Sequence, residues 1–376
     1  MGSSVKRIVI SGYYGFRNSG DEAVLQSILL ALRQEGEAAG VKVVPVVLSI
    51  DPEWTSRTYG VEAVHRMKLG RVFAAIRSAD GLVSGGGSLL QDVTGGLTIP
   101  YYIGIMKLAL WLRKPVFIYS QGIGPVHNRR YYGWIRRTFG KCRYVSVRDA
   151  ESAALLESMG CAPGAAEVVP DPVLGLPLPG GTAQAAAPES TGERLPVVGI
   201  SVRYWNADRS ELDKLAEAIV RLSYEREMEV RFLPFHLPSD EEASYDVIGR
   251  VRIKAAGSEP KMTVVGGIDH PQRMLAEVSR CDVLVGMRLH ALIYAASQLV
   301  PMVGITYDPK IDQFLHRLES TPAASTEAFD PAGVAAEIGR LLDNRDAWTA
   351  AKRPLVDRLK QQASRPAQQI IASMRL

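Results

Sequence analysis

Short runs of aliphatic and β-branched residues alternate with helical patterns along most of this 376-residue chain, and that alternation restricts the fold more than any other feature. Strands separated by helices pair in parallel, with the helices covering the faces of the sheet. The unit is clearest from Ser279 to Lys310. Residues 282–285 read as a buried strand, 291–299 fit a helix, 301–305 read as the next strand, and Tyr307, Asp308 and Pro309 lead to Lys310. Arg288 and His290 therefore fall between a strand's carboxyl end and a helix's amino end. Open α/β sheets bind ligands at that edge, where free helix N–H groups favour anions. Arg288, His290 and Lys310 are candidates for such a site, and His290 trades protons near neutral pH.

A composition break divides the chain. Residues 177–196 are rich in Pro, Gly, Ala and Ser without apolar periodicity and read as an exposed linker. The expected organisation is an N-terminal Rossmann-like domain over 1–176, a C-terminal one over 197–350, and a basic helix or tail over 351–376. The two halves echo each other. Asp80, Gly81, Leu82 and Val83 lead to Gly85, Gly86, Gly87 and Ser88, as Asp282, Val283, Leu284 and Val285 lead to Gly286, Met287, Arg288, Leu289 and His290. From Asp80 to Pro115 is 35 positions and from Asp282 to Pro301 only 19, so the first half carries extra residues around 91–105. The architecture expected is α/β, two doubly wound Rossmann-like domains facing a cleft.

Bulk properties exclude several classes. Net charge is only +4, and no RNP, zinc-finger or helix-turn-helix signature is present, so nucleic acid is not expected as a partner. Three cysteines at unrelated spacings make neither a disulfide framework nor a metal cluster, which favours a reducing cytoplasm. The opening residues 5–11 read as a strand rather than a signal peptide. The longest apolar run, 97–112, contains Lys107 and is too short to span a bilayer. No HExxH motif or cysteine pair argues for a metal, and the first loop is not GxGxxG, so no dinucleotide or other cofactor is expected.

The loops at other strand ends supply further candidates. Tyr14, Asn18 and Asp21 lie between the opening strand and a helix expected near Glu22; they suit the hydroxyl-rich face of a sugar, or they cap that helix. Gly86, Gly87 and Ser88 would let a substrate approach bare backbone, or form a structural turn. Arg148 ends the strand 144–147, where its planar fork can pair with phosphate or carboxylate, or with a nearby Asp. Arg203 and His236 end two strands of the second half. From Arg129 to Arg143 there are six basic residues and no acidic one, after the apolar, aromatic run 99–112. Residues 352–376 add six more basic side chains against Asp357. This surface is either a core helix beside a solvated basic face or a peripheral contact with the inner face of the plasma membrane.

Six motifs occur in order over most of the chain: Asn18-Ser19-Gly20-Asp21-Glu22, Gly85-Gly86-Gly87-Ser88, Gln121-Gly122-Ile123-Gly124-Pro125, Ser146-Val147-Arg148-Asp149, Asp171-Pro172 and Met287-Arg288-Leu289-His290-Ala291. Each alone is weak, but the ordered set resembles the polysaccharide pyruvyl transferase family, and the run from Gly12 to Ala23 resembles its CsaB-type members of bacterial cell-wall polymer synthesis. The resemblance implies a fold like the GT-B glycosyltransferases, phosphoenolpyruvate as co-substrate, a lipid-linked disaccharide ending in N-acetylmannosamine as acceptor, and a 4,6-ketal of pyruvate as product. It implies His290, Arg288 and Arg148 as catalytic residues. Lys310, Asn18, Asp21, Tyr14, Gly86, Gly87, Ser88, Asp171, Arg203 and His236 would bind substrates. A GT-B glycosyltransferase using a nucleotide-sugar donor and a non-catalytic sugar-phosphate binding module remain the alternatives.

Overall fold

Residues 4–93, 95–181 and 194–375 are described by a computed structural model, and among them the strands form two all-parallel sheets. The first contains β1 (Ser4–Tyr14), β2 (Val41–Ser49), β3 (Glu62–His65), β4 (Gly81–Gly85), β5 (Val116–Gln121), β6 (Tyr144–Val147) and β7 (Glu167–Val168), in the order β3-β2-β1-β4-β5-β6-β7. The second contains β8 (Val197–Ser201), β9 (Glu229–Phe232), β10 (Lys261–Val264), β11 (Val283–Gly286), β12 (Met302–Thr306) and β13 (Ala324–Ser325), in the order β10-β9-β8-β11-β12-β13. Both are doubly wound. In each, strand order reverses beside the first strand, between β1 and β4 and between β8 and β11, and that reversal opens a crevice at the strands' carboxyl ends.

The reason lies in which strands can be buried. Strands β4, β5, β8 and β11 are buried along their whole length, so both faces need helical cover, and parallel pairing with crossover helices supplies it. The outer strands β3, β7, β10 and β13 run for only two to four residues, which limits the exposed hydrogen-bonding edge. Each sheet has its own core. Ile118, Leu82, Ile103 and Ile135 belong to one, and Ile200, Val285, Leu215 and Ile338 to the other.

Contacts divide the chain into a first unit, Met1–Arg17, Asp21–Leu176 and Leu359–Leu376, and a second unit, Asn18–Gly20 and Pro177–Arg358. Residues 182–193 of the expected linker lie outside the described residues. The basic helix or tail expected over 351–376 is the end of one helix, Arg345–Ala363, followed by another, Arg365–Arg375. Ala367, Ile370, Ile371 and Met374 of the latter are buried and pack on β5 and β6, because their three- and four-residue spacing makes an apolar stripe. The extra residues of the first half include a helix, Thr98–Trp111, that is longer than its counterpart Leu289–Ser297.

Candidate functional site

In the second unit the residues after β8, β9, β11 and β12 gather at the sheet's carboxyl edge. Arg288 occupies the N-cap position of the helix Leu289–Ser297 without a side-chain capping bond, and His290 sits in the first turn, so the Arg-Leu-His segment begins the helix instead of preceding it. Arg288 is held by Asp240, which is fully buried at the start of the helix Ser239–Ala255. Arg288 Nε donates to Asp240 Oδ2 at 3.0 Å and Nη2 donates to Oδ1, a bidentate pair that fixes the guanidinium plane. Asp240 Oδ2 also accepts from the backbone N–H of Phe235 (3.2 Å) and of His236 (3.0 Å). The pair is close to neutral, so Arg288 alone makes a weaker anion clamp than its sequence position implies.

Arg203 and Lys310 supply further charge along that edge. Arg203 Nη1 donates to Tyr307 Oη at 2.9 Å, and its guanidinium lies 5.3 Å from the Trp205 ring and 5.0 Å from the Tyr307 ring, which hold it in place. Lys310 is the second residue of the helix Pro309–Arg317; Asp308 caps that helix by accepting from Lys310 N at 3.0 Å. The Tyr-Asp-Pro-Lys run is thus a helix start with Pro in its first turn. His236 lies near both Arg203 and Arg288. Burial, then the Arg288 charge, pushes its pKa down, with Arg203 adding to the fall and Asp240 opposing it, which favours the neutral imidazole.

Residues 18–20 complete this group. Asn18 pairs with His236 in an isolated bridge, Ser19 N donates to Phe235 O at 3.0 Å, and Tyr294 Oη donates to Ser19 O at 3.3 Å. Gly20 packs on the imidazole of His290, so that a Cβ there would overlap Nδ1. Asn18 Oδ1 accepts from Gly20 N at 3.0 Å, which makes Asn18 a cap of the helix Ser19–Ala38, a start three residues earlier than the expected one near Glu22.

In the first unit the loops after β1, β4, β5 and β6 bring carboxylates around one arginine. Arg148 is 8% exposed; Nη2 donates to Ser88 Oγ at 2.8 Å, while Nε and Nη1 lie 3.5 and 3.6 Å from Asp149 and Asp171. Asp149 caps the helix Ala150–Ser158, and Asp171 caps the short turn Pro172–Gly175. Asp21 is half-buried with its carboxyl pushed up to about 7, chiefly by burial, then by Glu22 and Asp171, with Arg148 opposing. Glu22 is also pushed up to about 7 by burial, although Tyr59 Oη and Gly15 N both donate to it at 2.8 Å. Three aspartates lie beside Arg148, so the pairing with nearby Asp that the sequence offered beside the clamp role is present.

Two other expectations change in this unit. Tyr14 is buried and donates to Gly85 O at 3.0 Å, which removes it from a substrate-facing set; the exposed aromatic is Tyr13, stacked on Phe16 at 3.8 Å. Gly86 and Gly87 are buried left-handed residues, and a Cβ on Gly86 would overlap Val24, while one on Gly87 would meet Asp21 Oδ1 at 3.0 Å. They let the helix Ser19–Ala38 approach the turn and do not present bare backbone. Among the described residues no group of three His, Cys, Asp or Glu side chains is placed to hold a metal ion.

The family described as polysaccharide pyruvyl transferase matches residues 18–309, well over half of the chain. The chain belongs to that family. As a pyruvyl transferase it is an enzyme that transfers pyruvate to a polysaccharide. Its fold is GT-B-like. A glycosyltransferase from Rickettsia africae superimposes with a TM-score of 0.66 at 10% identity, covering 98% of both chains. Anabaena HepE in complex with UDP gives 0.64 at 12%, again over 98% of both chains. A UDP-GlcNAc 2-epimerase from Neisseria meningitidis bound to UDP-GlcNAc gives 0.62 at 11%, over 98% of this chain and 99% of that one. Comparison with the curated proteins returned no match.

Sequence reading of the pyruvyl transferase missed Asp240, whose partner lies 48 positions away, and Arg66. The latter is buried, donates to Gly12 O and Tyr102 Oη, and lies 4.4 Å from the Tyr101 ring. The acidic start of the helix after His236 is the one signal for Asp240, and it reads as an ordinary first-turn preference.

Proposed function

We propose that this pyruvyl transferase takes pyruvate from phosphoenolpyruvate and places it on a terminal N-acetylmannosamine of a lipid-linked cell-wall polysaccharide precursor, as CsaB-type enzymes do. The observation that carries the donor assignment is the second unit's edge, where Arg203, Lys310 and the Asp240-bound Arg288 accompany His290 and His236. Phosphoenolpyruvate bears a phosphate and a carboxylate on one three-carbon enol, and only several cations can hold both.

A sugar hydroxyl attacks C2 of the enol as a proton reaches C3, turning the methylene into a methyl group. A second hydroxyl of the same sugar then attacks C2, the C–O bond to phosphate breaks, and inorganic phosphate leaves with a 4,6-ketal formed. His290 is the proton carrier, and the cations neutralise the departing phosphate. The first unit suits the acceptor: Asp21, with its pKa pushed up to about 7, accepts a hydroxyl proton, and the Tyr13–Phe16 stack offers a flat face for a pyranose.

The enzyme incubated with phosphoenolpyruvate and an N-acetylmannosamine-terminated lipid analogue should release phosphate and yield a product of pyruvyl-ketal mass; phosphate release without that mass defeats the acceptor assignment. A nucleotide-sugar donor is the second reading, favoured by structural neighbours that hold UDP and UDP-GlcNAc. Calorimetric titration separates them, since tight binding of a UDP-sugar with no heat from phosphoenolpyruvate would reverse the assignment.

A further inference from the structure

The first unit carries a surface that includes none of the residues assigned to pyruvyl transfer. Between Asp92 and Asp149 the sequence holds ten Lys and Arg and no Asp or Glu, so a chain of net charge +4 puts +10 into this stretch and −6 into the rest. Four of the ten, Lys107, Arg130, Arg136 and Arg137, lie on two helices in contact, Thr98–Trp111 and Arg130–Phe139. Their inner residues, including Tyr102, Met106, Ile135 and Phe139, belong to the core. Their outer residues are not the uniformly polar set of a solvated helix pair. Leu97 is 81% exposed, Trp111 73% and Trp134 43%, set among the exposed cations Lys107, Arg130, Arg137 and Lys141. Lys107 Nζ lies 4.9 Å from the Trp134 ring. Lys107, Leu110, Trp111, Trp134, Arg137 and Lys141 line a cavity of about 470 Å³.

We infer that this face docks on an anionic lipid bilayer. Tryptophan is stable at headgroup depth, where its ring is in apolar surroundings and its N–H is wet, and Lys and Arg around it are drawn to an anionic leaflet. A soluble polyanion would engage the cations alone and leave Leu97, Trp111 and Trp134 in water; a bilayer engages both. No helix among the described residues is long and apolar enough to cross a membrane, so the contact is interfacial. The inference does not depend on which sugar the enzyme modifies.

Sedimentation of the full chain with vesicles tests it. Mixed phosphatidylglycerol–phosphatidylcholine vesicles should bind at least about tenfold more protein than phosphatidylcholine alone, and the difference should shrink as salt rises. Lys107→Gln, Arg137→Gln and Lys141→Gln should each weaken binding, by up to about fivefold apiece. Trp111→Ser with Trp134→Ser should release the protein from vesicles while leaving heparin binding, circular dichroism and turnover of a soluble acceptor analogue unchanged. Absence of binding to the anionic vesicles at low salt overturns the inference. So does undiminished vesicle binding by the double tryptophan variant, or an equal loss of heparin binding, which would mark a soluble-polyanion surface.

Discussion

At the scale of single residues, His290 and Gly20 are a pair in which one positions the other. His290→Ala should lower kcat by about 10²–10⁴-fold with little change in phosphoenolpyruvate affinity, measured by phosphate release and calorimetric titration. Gly20→Ala is the sharper experiment. Alanine's helix preference, about 1 kcal/mol, partly offsets the overpacking, so the melting temperature should fall only modestly. The added Cβ overlaps His290 Nδ1, and the displaced ring should cost about 10²-fold in turnover. Asp21 and Glu22 make a prediction in pH. Their folded-state pKa values, near 7, exceed the usual carboxylate range, so they favour folding while protonated, below about pH 4, and that contribution is lost as pH rises through 7. Asp21→Asn should therefore flatten the fall in melting temperature between about pH 4 and pH 7, and should exceed the parent at pH 8 by scanning calorimetry. Of these residues the sequence shows identities and loop positions. It does not show that Asp240 locks Arg288 or that three aspartates surround Arg148, because those pairings depend on strand order.

At the scale of elements, local rules settle most boundaries. Asp149 and Asp308 each end an extended segment and cap the helix that follows, and Pro309 adds a fixed first-turn φ. Asp308→Ala should cost about 1 kcal/mol by chemical denaturation, the ordinary worth of a cap. Gly86 is a different case, since its φ is +48° and its Cα faces Val24. Gly86→Ala should destabilise by more than the cap does, roughly 1–3 kcal/mol, through both the left-handed backbone and the overlap. A glycine run of this kind reads in sequence as a substrate cradle or as a turn with equal ease. What separates the two is whether another element fills the space in front of it, and here the helix Ser19–Ala38 does.

At the scale of the whole molecule, the alternation of strand and helix and the echo between halves suffice for two parallel α/β sheets, because central strands buried on both faces have few other ways to satisfy their backbones. The basic helix or tail expected over 351–376 shows what packing adds. Ile370 and Ile371 lie under β5 and β6, and Ile370→Asp should lower the melting temperature sharply by burying an unpaired charge. The charge asymmetry of residues 93–148 was likewise visible as composition, but only the packing of two helices showed that Trp111 and Trp134 stand outside the core among those cations. Periodicity and cap chemistry act between residues close in the chain, so the order of elements, the two sheets and the strand ends bearing Arg148, Arg203 and Arg288 could be read from sequence alone. Which side chains share a dielectric environment, and so which carboxylates titrate near 7 and which arginine is already neutralised, was decided by tertiary structure, because burial and charge pairing act between residues tens of positions apart.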